Sequence, residues 1–205
     1  MLQDSRYENR ANLEVSETCE SRGARTLRLS RYAFVVRIGL LSDTHGFMGA
    51  DILEALVDVD EIWHAGDLGS LKVIEQLQTI APVIAVIGNI DSHATYYSIP
   101  EEQVLERAGF RVLIRHIVGI PGRYEVAARA SIAREKPEIL VCGHSHILRI
   151  ERDATGILYI NPGACGHHGM HQKRTLVRFN LADHKIFGAQ VVDLGARGRK
   201  KSERA

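Results

Sequence analysis

From Phe34 onward the chain is punctuated so regularly that few folds can hold it. Short apolar runs, rich in β-branched residues, alternate with longer segments of helical spacing, and nearly every apolar run leaves into a polar turn. FVVRIGLLS reads as a buried strand, and MGADILEALVDV carries Ile52, Leu53, Leu56 and Val57 on one helical face. EIWHAG reads as the second strand, SLKVIEQLQTI as a helix N-capped by Ser70, and PVIAVIG as the third strand. Strand, helix, strand, helix, strand is the pattern of a parallel sheet with right-handed crossovers.

The second half holds more strand. QVLERAGFRVLIRH predicts two strands about a turn at Ala108-Gly109, and YEVAARASIAREK predicts a helix ending at Lys136 before Pro137. EILVCG reads as another buried strand. ILRIERDATGILYIN reads as a hairpin turning between Asp153 and Gly156, and TLVRFNLADHKIFGAQVVDL as a final hairpin. One globular domain is expected over residues 34–194. Residues 1–33, charged and without apolar periodicity, read as a disordered extension, with translation starting near Val35 or Val36 as the alternative. Residues 195–205 read as a solvated basic tail.

The residues that follow the strands carry the chemistry. Asp43 and His45 follow the first, Asp67 the second and Asn89 the third. His116 closes a fourth, and His144 and His146 follow a fifth. Ligand-type side chains leaving five strand ends belong to the carboxyl edge of an α/β sheet. Each alone reads as a turn former or a cap; together they read as a metal site. Gly46, Gly66, Gly88 and Gly143 each adjoin a candidate ligand, so the backbone can approach the site closely. Imidazoles mixed with carboxylate and amide oxygens suit borderline divalent ions.

The ordered set D-x-H (Asp43, His45), G-D (Gly66, Asp67), G-N (Gly88, Asn89), a single His116 and G-H-x-H (Gly143, His144, His146) resembles the calcineurin-like metallophosphoesterase superfamily. Its short loops and the NPG after the last motif look like the compact bacterial and archaeal phosphodiesterase branch, which also resembles the retromer scaffold subunit of eukaryotes. The resemblance covers about residues 36 to 192. It implies an α/β fold in four layers, a two-sheet β-sandwich flanked by helices. It implies one ion on Asp43, His45, Asp67 and His146, and another on Asp67, Asn89, His116 and His144. Mn²⁺ is the expected ion, with Fe²⁺, Ni²⁺ or Zn²⁺ as alternatives. Two such ions make a hydroxide available and clamp the oxygens of an in-line displacement. Asp43, Asp67, Asn89 and His144 are the expected catalytic set, in a phosphodiesterase acting on a small phosphoester.

Two positions depart from the family pattern. Ile90 stands where many members carry a general-acid His, and Val118 where a phosphate-binding His is common. Asp91, His93 and Arg123 are the candidates for contacting substrate in their place. His64 reads as a buried support, Trp63 and Cys142 as core, and His167, His168 and His171 as a polar rim or surface residues.

The net charge of +1 makes no case for nucleic acid, and no apolar run is long enough for a membrane span. Three scattered cysteines and no leader-like segment point to the cytoplasm. A homo-oligomer is left open. The rival readings are a non-catalytic interaction scaffold on the same fold, and a phosphomonoesterase or nucleotide pyrophosphatase.

Overall fold

A computed structural model describes residues 35–92 and 97–198. The readings made for residues 1–33, for His93 and for the end of the basic tail lie outside the described residues.

The element order is β1 (Val36–Leu41), α1 (Ala50–Ala55), β2 (Glu61–His64), α2 (Leu71–Gln78), β3 (Val83–Ala85), β4 (Glu102–Arg107) and β5 (Phe110–Arg115). Then come β6 (Gly119–Ile120), β7 (Arg123–Tyr124), α3 (Val126–Glu135), β8 (Ile139–Val141), β9 (Leu148–Arg152), β10 (Leu158–Pro162), β11 (Lys173–Ala182) and β12 (Lys185–Ala196). The strands form two five-stranded sheets, β12-β11-β1-β2-β3 and β4-β5-β8-β10-β9, with β6 and β7 as a small separate ribbon. Both sheets are mixed. β1, β2 and β3 run parallel in one, and β5, β8 and β10 run parallel in the other. This is the two-sheet α/β architecture that the resemblance implied.

Both faces of the central strands are covered, which explains their unbroken apolar runs. Ile38 and Leu40 of β1 point between the sheets with Trp63, Val112, Ile114, Val141, Ile160 and Phe179. Leu41 points the other way, under the helices, with Ile52, Leu56, Val73 and Leu77. On the far side of the second sheet, Leu113, Leu140 and Tyr159 pack with Ala128 of α3. Each fully buried aliphatic side chain contributes roughly 1.5–3 kcal/mol relative to exposure. Gly39 of β1 faces the turn that follows α1: a side chain there would run into Leu56 and lie 3.3 Å from a methyl of Val59.

The elements start and stop for local reasons. Ser70 caps α2 by accepting the Lys72 amide at 3.3 Å. α3 ends where Lys136 turns left-handed at φ 48°, ahead of Pro137. α1 is shorter than its apolar spacing predicts, ending as the chain turns into β2. The β6–β7 ribbon was not legible, since GIPGRY reads as a loop.

Candidate metal centre

Parallel strands of both sheets deliver their carboxyl ends to one rim, where the two sheets bond to each other through loops. The Asp43, His45 and Gly46 amides donate to the Gly66, Asp67 and Leu68 carbonyls at 3.0, 3.0 and 2.7 Å, zipping the loop after β1 to the loop after β2. The Gly143 amide donates to the His116 carbonyl at 3.1 Å. The His144 amide donates to the Asp43 carboxylate at 3.2 Å, so a loop of the second sheet grips a candidate ligand of the first.

All seven predicted ligand residues meet at this rim. Asp43, His45, Asp67 and His146 bring ligand atoms within 4.8 Å of one another. His146 Nε2 is 3.1 Å from Asp43 Oδ1, and His45 Nε2 is 3.4 Å from His146 Nε2. Asn89 Oδ1 lies 3.1 Å from His116 Nε2 and 2.8 Å from His144 Nδ1. Asp67 joins the groups: Oδ1 is 3.2 Å from His116 Nε2, and Oδ2 is 3.6 Å from His45 Nε2. Imidazoles converging head-on with the buried Asp43 and Asp67 carboxylates suit a cation, because divalent metal is the partner that satisfies both donor types at once. The backbone leaves room for this convergence. A side chain on Gly88 would overlap the Asp67 carboxylate, and one on Gly143 would overlap Ser42 Oγ and crowd Asp43.

The local backbone is unusual. Asp43, His45, Asp67, His144 and His146 all have positive φ, between 48° and 68°. Such conformations cost roughly 1–3 kcal/mol each in a non-glycine residue and persist only where the surroundings hold them. Asp and His tolerate this region better than most residues.

Supporting groups fix the ligands' orientation. The His116 Nδ1–H donates to the Ala65 carbonyl at 2.7 Å, which aims Nε2 at Asp67 and Asn89. Fully buried His64 accepts the Gly66 amide at Nδ1 (3.2 Å), so its proton sits on Nε2 and is donated to Thr44 Oγ1 at 2.9 Å. One neutral imidazole thus ties the Asp43–His45 loop to the Gly66–Asp67 loop. Burial pushes His64 down to about 4, which keeps it neutral. Burial also lowers His45, against the raising effect of the Asp67 and Asp43 charges. At Asp67 burial acts upward, but the hydrogen bond and charge of His116 outweigh it and hold the carboxyl below the usual range. His116 is raised, since Asp67 and Asp43 overcome the lowering effect of burial.

Of the candidate substrate contacts, Asp91 is buried, and its carboxylate accepts the Leu68, Gly69 and Gly88 amides, each at 2.9 Å. It pins the loop of Asp67 to the loop of Asn89, the work of a turn residue. Arg123 lies exposed on the β6–β7 ribbon. Ile90 is half exposed at the rim, and its amide donates to Asp67 Oδ1 at 3.1 Å; Val118 is buried beneath α3. Of the three histidines after NPG, His168 and His171 line the site and His167 does not. His168 packs on the His45 ring at 4.6 Å between centroids, and His171 meets the His146 ring edge-on at 5.2 Å. His167 packs edge-on against Phe47 at 4.3 Å.

Asn161 is the functional support that sequence reasoning missed. Fully buried at the end of β10, it donates to the Gly143 carbonyl (2.7 Å) and Ser145 Oγ (3.1 Å) and accepts the Gly163 amide (3.0 Å). It shapes the loop that bears His144 and His146. The signal was the NPG triplet, a polar residue closing an apolar strand.

Comparison with known proteins gives the same reading. Residues 36–184 match the family model described as the calcineurin-like phosphoesterase superfamily domain. A protein named "Probable metallophosphoesterase" from Methanothermobacter thermautotrophicus is 34% identical over 134 residues, covering 62% of this chain and 76% of its own length. A like-named protein of Methanocaldococcus jannaschii is 31% identical, covering 62% of this chain and 67% of its own. Among solved structures, an archaeal protein described as a novel phosphodiesterase aligns with a TM-score of 0.59 at 23% identity, over 76% of this chain and 99% of its own. Vps29 from Entamoeba histolytica, complexed with zinc, aligns with a TM-score of 0.58 at 18% identity, over 78% of this chain and 99% of its own. With its ordered motifs, its two-sheet fold and its matched family model, the chain belongs to the calcineurin-like phosphoesterase superfamily.

Proposed function

We propose that this protein is a cytoplasmic phosphodiesterase that binds two divalent ions, Mn²⁺ foremost, and acts on a small phosphoester. The observation that carries the reading is the Asp67 carboxylate, whose oxygens face opposite halves of the ligand set. One half is Asp43, His45 and His146; the other is Asn89, His116 and His144, and Asp67 is the ligand they share. Bound ions would supply Lewis acidity toward the phosphoryl oxygens and an acidified water. The chain's own part is orientation. The His144 amide fixes the Asp43 carboxylate, the Ala65 carbonyl fixes the His116 tautomer, and Asn161 fixes the loop of His144 and His146.

Diester preference rests on the family resemblance and on the histidines missing at Ile90 and Val118. Ile90 has no proton to give, and the Asp91 carboxylate is taken up by three backbone amides. Substrates whose leaving group departs without a donated proton are favoured. Buried thiols at Cys142 and Cys165, both pushed up to about 12 by burial, fit a reducing compartment. Among the described residues no helix is long and apolar enough to cross a membrane.

A second reading, an interaction scaffold on this fold, is favoured by Ile90 and by the likeness to Vps29. Metal content of the purified protein, followed by Mn²⁺-dependent turnover of bis(p-nitrophenyl) phosphate against p-nitrophenyl phosphate, separates the readings. The phosphodiesterase should bind two ions per chain and prefer the diester. Turnover of the monoester alone would overturn diester preference, and two bound ions with no turnover of either would favour the scaffold.

A further inference from the structure

We infer that His171 is the positioning residue for His146, the acceptor that fixes its tautomer and ring orientation; this rests on the reading that His146 holds an ion. An imidazole that ligates through Nε2 carries its proton on Nδ1, and that N–H needs an acceptor. His116 meets the need with the Ala65 carbonyl. His146 turns Nε2 toward Asp43 and His45, so its Nδ1 faces the other way, toward Gly169 and His171.

His171 is arranged to receive that proton. Its Nε2–H donates to the Gly166 carbonyl at 3.1 Å, which leaves Nδ1 with a lone pair and no hydrogen. That nitrogen is buried and has no hydrogen-bond partner among the described residues. Buried polar atoms without partners are rare, so an acceptor left over beside a metal-ligand ring calls for an explanation. Gly169, at φ 113°, lies between the rings. A side chain there would run into His146 Nδ1 and sit 3.3 Å from His171 Nδ1, so both nitrogens border one small space that only glycine leaves open. Across that space the His146 Nδ1–H reaches His171 Nδ1 through one water.

Mn²⁺ affinity, measured by chelator competition on the full chain, tests this in wild type, His171→Phe and His171→Gln. His171→Phe keeps the ring's bulk and removes the acceptor, and it should weaken one of the two ions about 10–100-fold with little change in melting temperature. His171→Gln restores an acceptor oxygen and should recover most of that loss. His171→Phe binding both ions as tightly as wild type would overturn the inference while leaving the metal centre intact. A wild type that binds no ion would instead bring down the metal centre, and the inference with it. If His171→Phe does not fold, nitrogen-15 spectra of the zinc-loaded wild type decide: His146 protonated at Nδ1 supports the inference, and His146 ligating through Nδ1 refutes it.

Discussion

The two ends of the sandwich use the same rare backbone conformation for different reasons. Nine non-glycine residues among those described have positive φ. Five of them (Asp43, His45, Asp67, His144 and His146) stand at the rim where the ligands gather. The other four (Ala108, Lys136, Asp183 and His184) stand at the opposite rim. There the cause is local: two-residue hairpin turns between β4 and β5 and between β11 and β12, and the end of α3. At the ligand rim the cause is distant. Those residues are held by amide ladders between loops, by His64 and Asp91 bridging the first sheet's loops, and by Asn161 under the second sheet's loop. One rim turns the chain around; the other stores strain to aim side chains.

Removing the residue on which the ligand rim converges should have the largest effect. Asp67→Ala deletes the carboxylate shared by both halves of the ligand set. Loss of an outer partner typically lowers metal affinity or activity about 10–100-fold. Loss of a shared ligand should exceed that, with both ions and turnover lost together. Metal analysis and diester turnover on the same preparation check this, and a variant that keeps both ions and full activity would refute the shared role.

The second effect should appear as a pH dependence confined to the ligand rim. His64 titrates near 4 in the fold and near 6.5 when unfolded. Between those values the unfolded chain holds a proton that the folded chain refuses, so stability falls as pH drops through this window. Going from about pH 7 to about pH 5, His64 should remove about 2 kcal/mol, on the basis of 1.36 kcal/mol per pH unit. Urea unfolding of chelator-treated protein measures the slope. His64→Gln, which keeps a donor and an acceptor but cannot titrate, should flatten it by that amount. An unchanged slope would mean that His64 is not what makes this rim acid-sensitive.

How much was legible in the sequence follows from the range of the interactions. The strands and their order could be read because burial on both faces leaves continuous apolar runs, as in ILV of β8 and VRIGLL of β1. The division into two sheets could not be read from periodicity. Alternation of strands and helices predicts parallel neighbours, yet β1 pairs with β11 from the far end of the chain. That division came only from family resemblance. The candidate ligand residues were visible because Asp, Asn and His at strand ends, flanked by glycine, are local features. Of their supports, His64 could be read as one, and others could not. Asp91 reads as a turn residue or a substrate contact until three amides from two loops close on it, and His168 and His171 read as rim or surface residues until they meet His45 and His146.

The smallest effect should come from the far rim, and it tests whether the comparison between the rims holds. Ala108 and Gly109 form a two-residue hairpin loop with φ of 49° and 92°, closed by the Arg107–Phe110 pair. Both central residues are left-handed, the geometry for which Asn-Gly is the preferred pair. Alanine carries the full steric cost of its β-carbon there, about 1–2 kcal/mol. Ala108→Asn should therefore raise stability by about 0.5–1 kcal/mol, less than the full cost because asparagine keeps the β-carbon and offsets its strain only by local hydrogen bonding. Metal content and turnover should not move, since the strain at this rim is local to the turn. If Ala108→Asn changed metal affinity, the two rims would be coupled through the strands that join them, and the division between turning strain and aiming strain would fail.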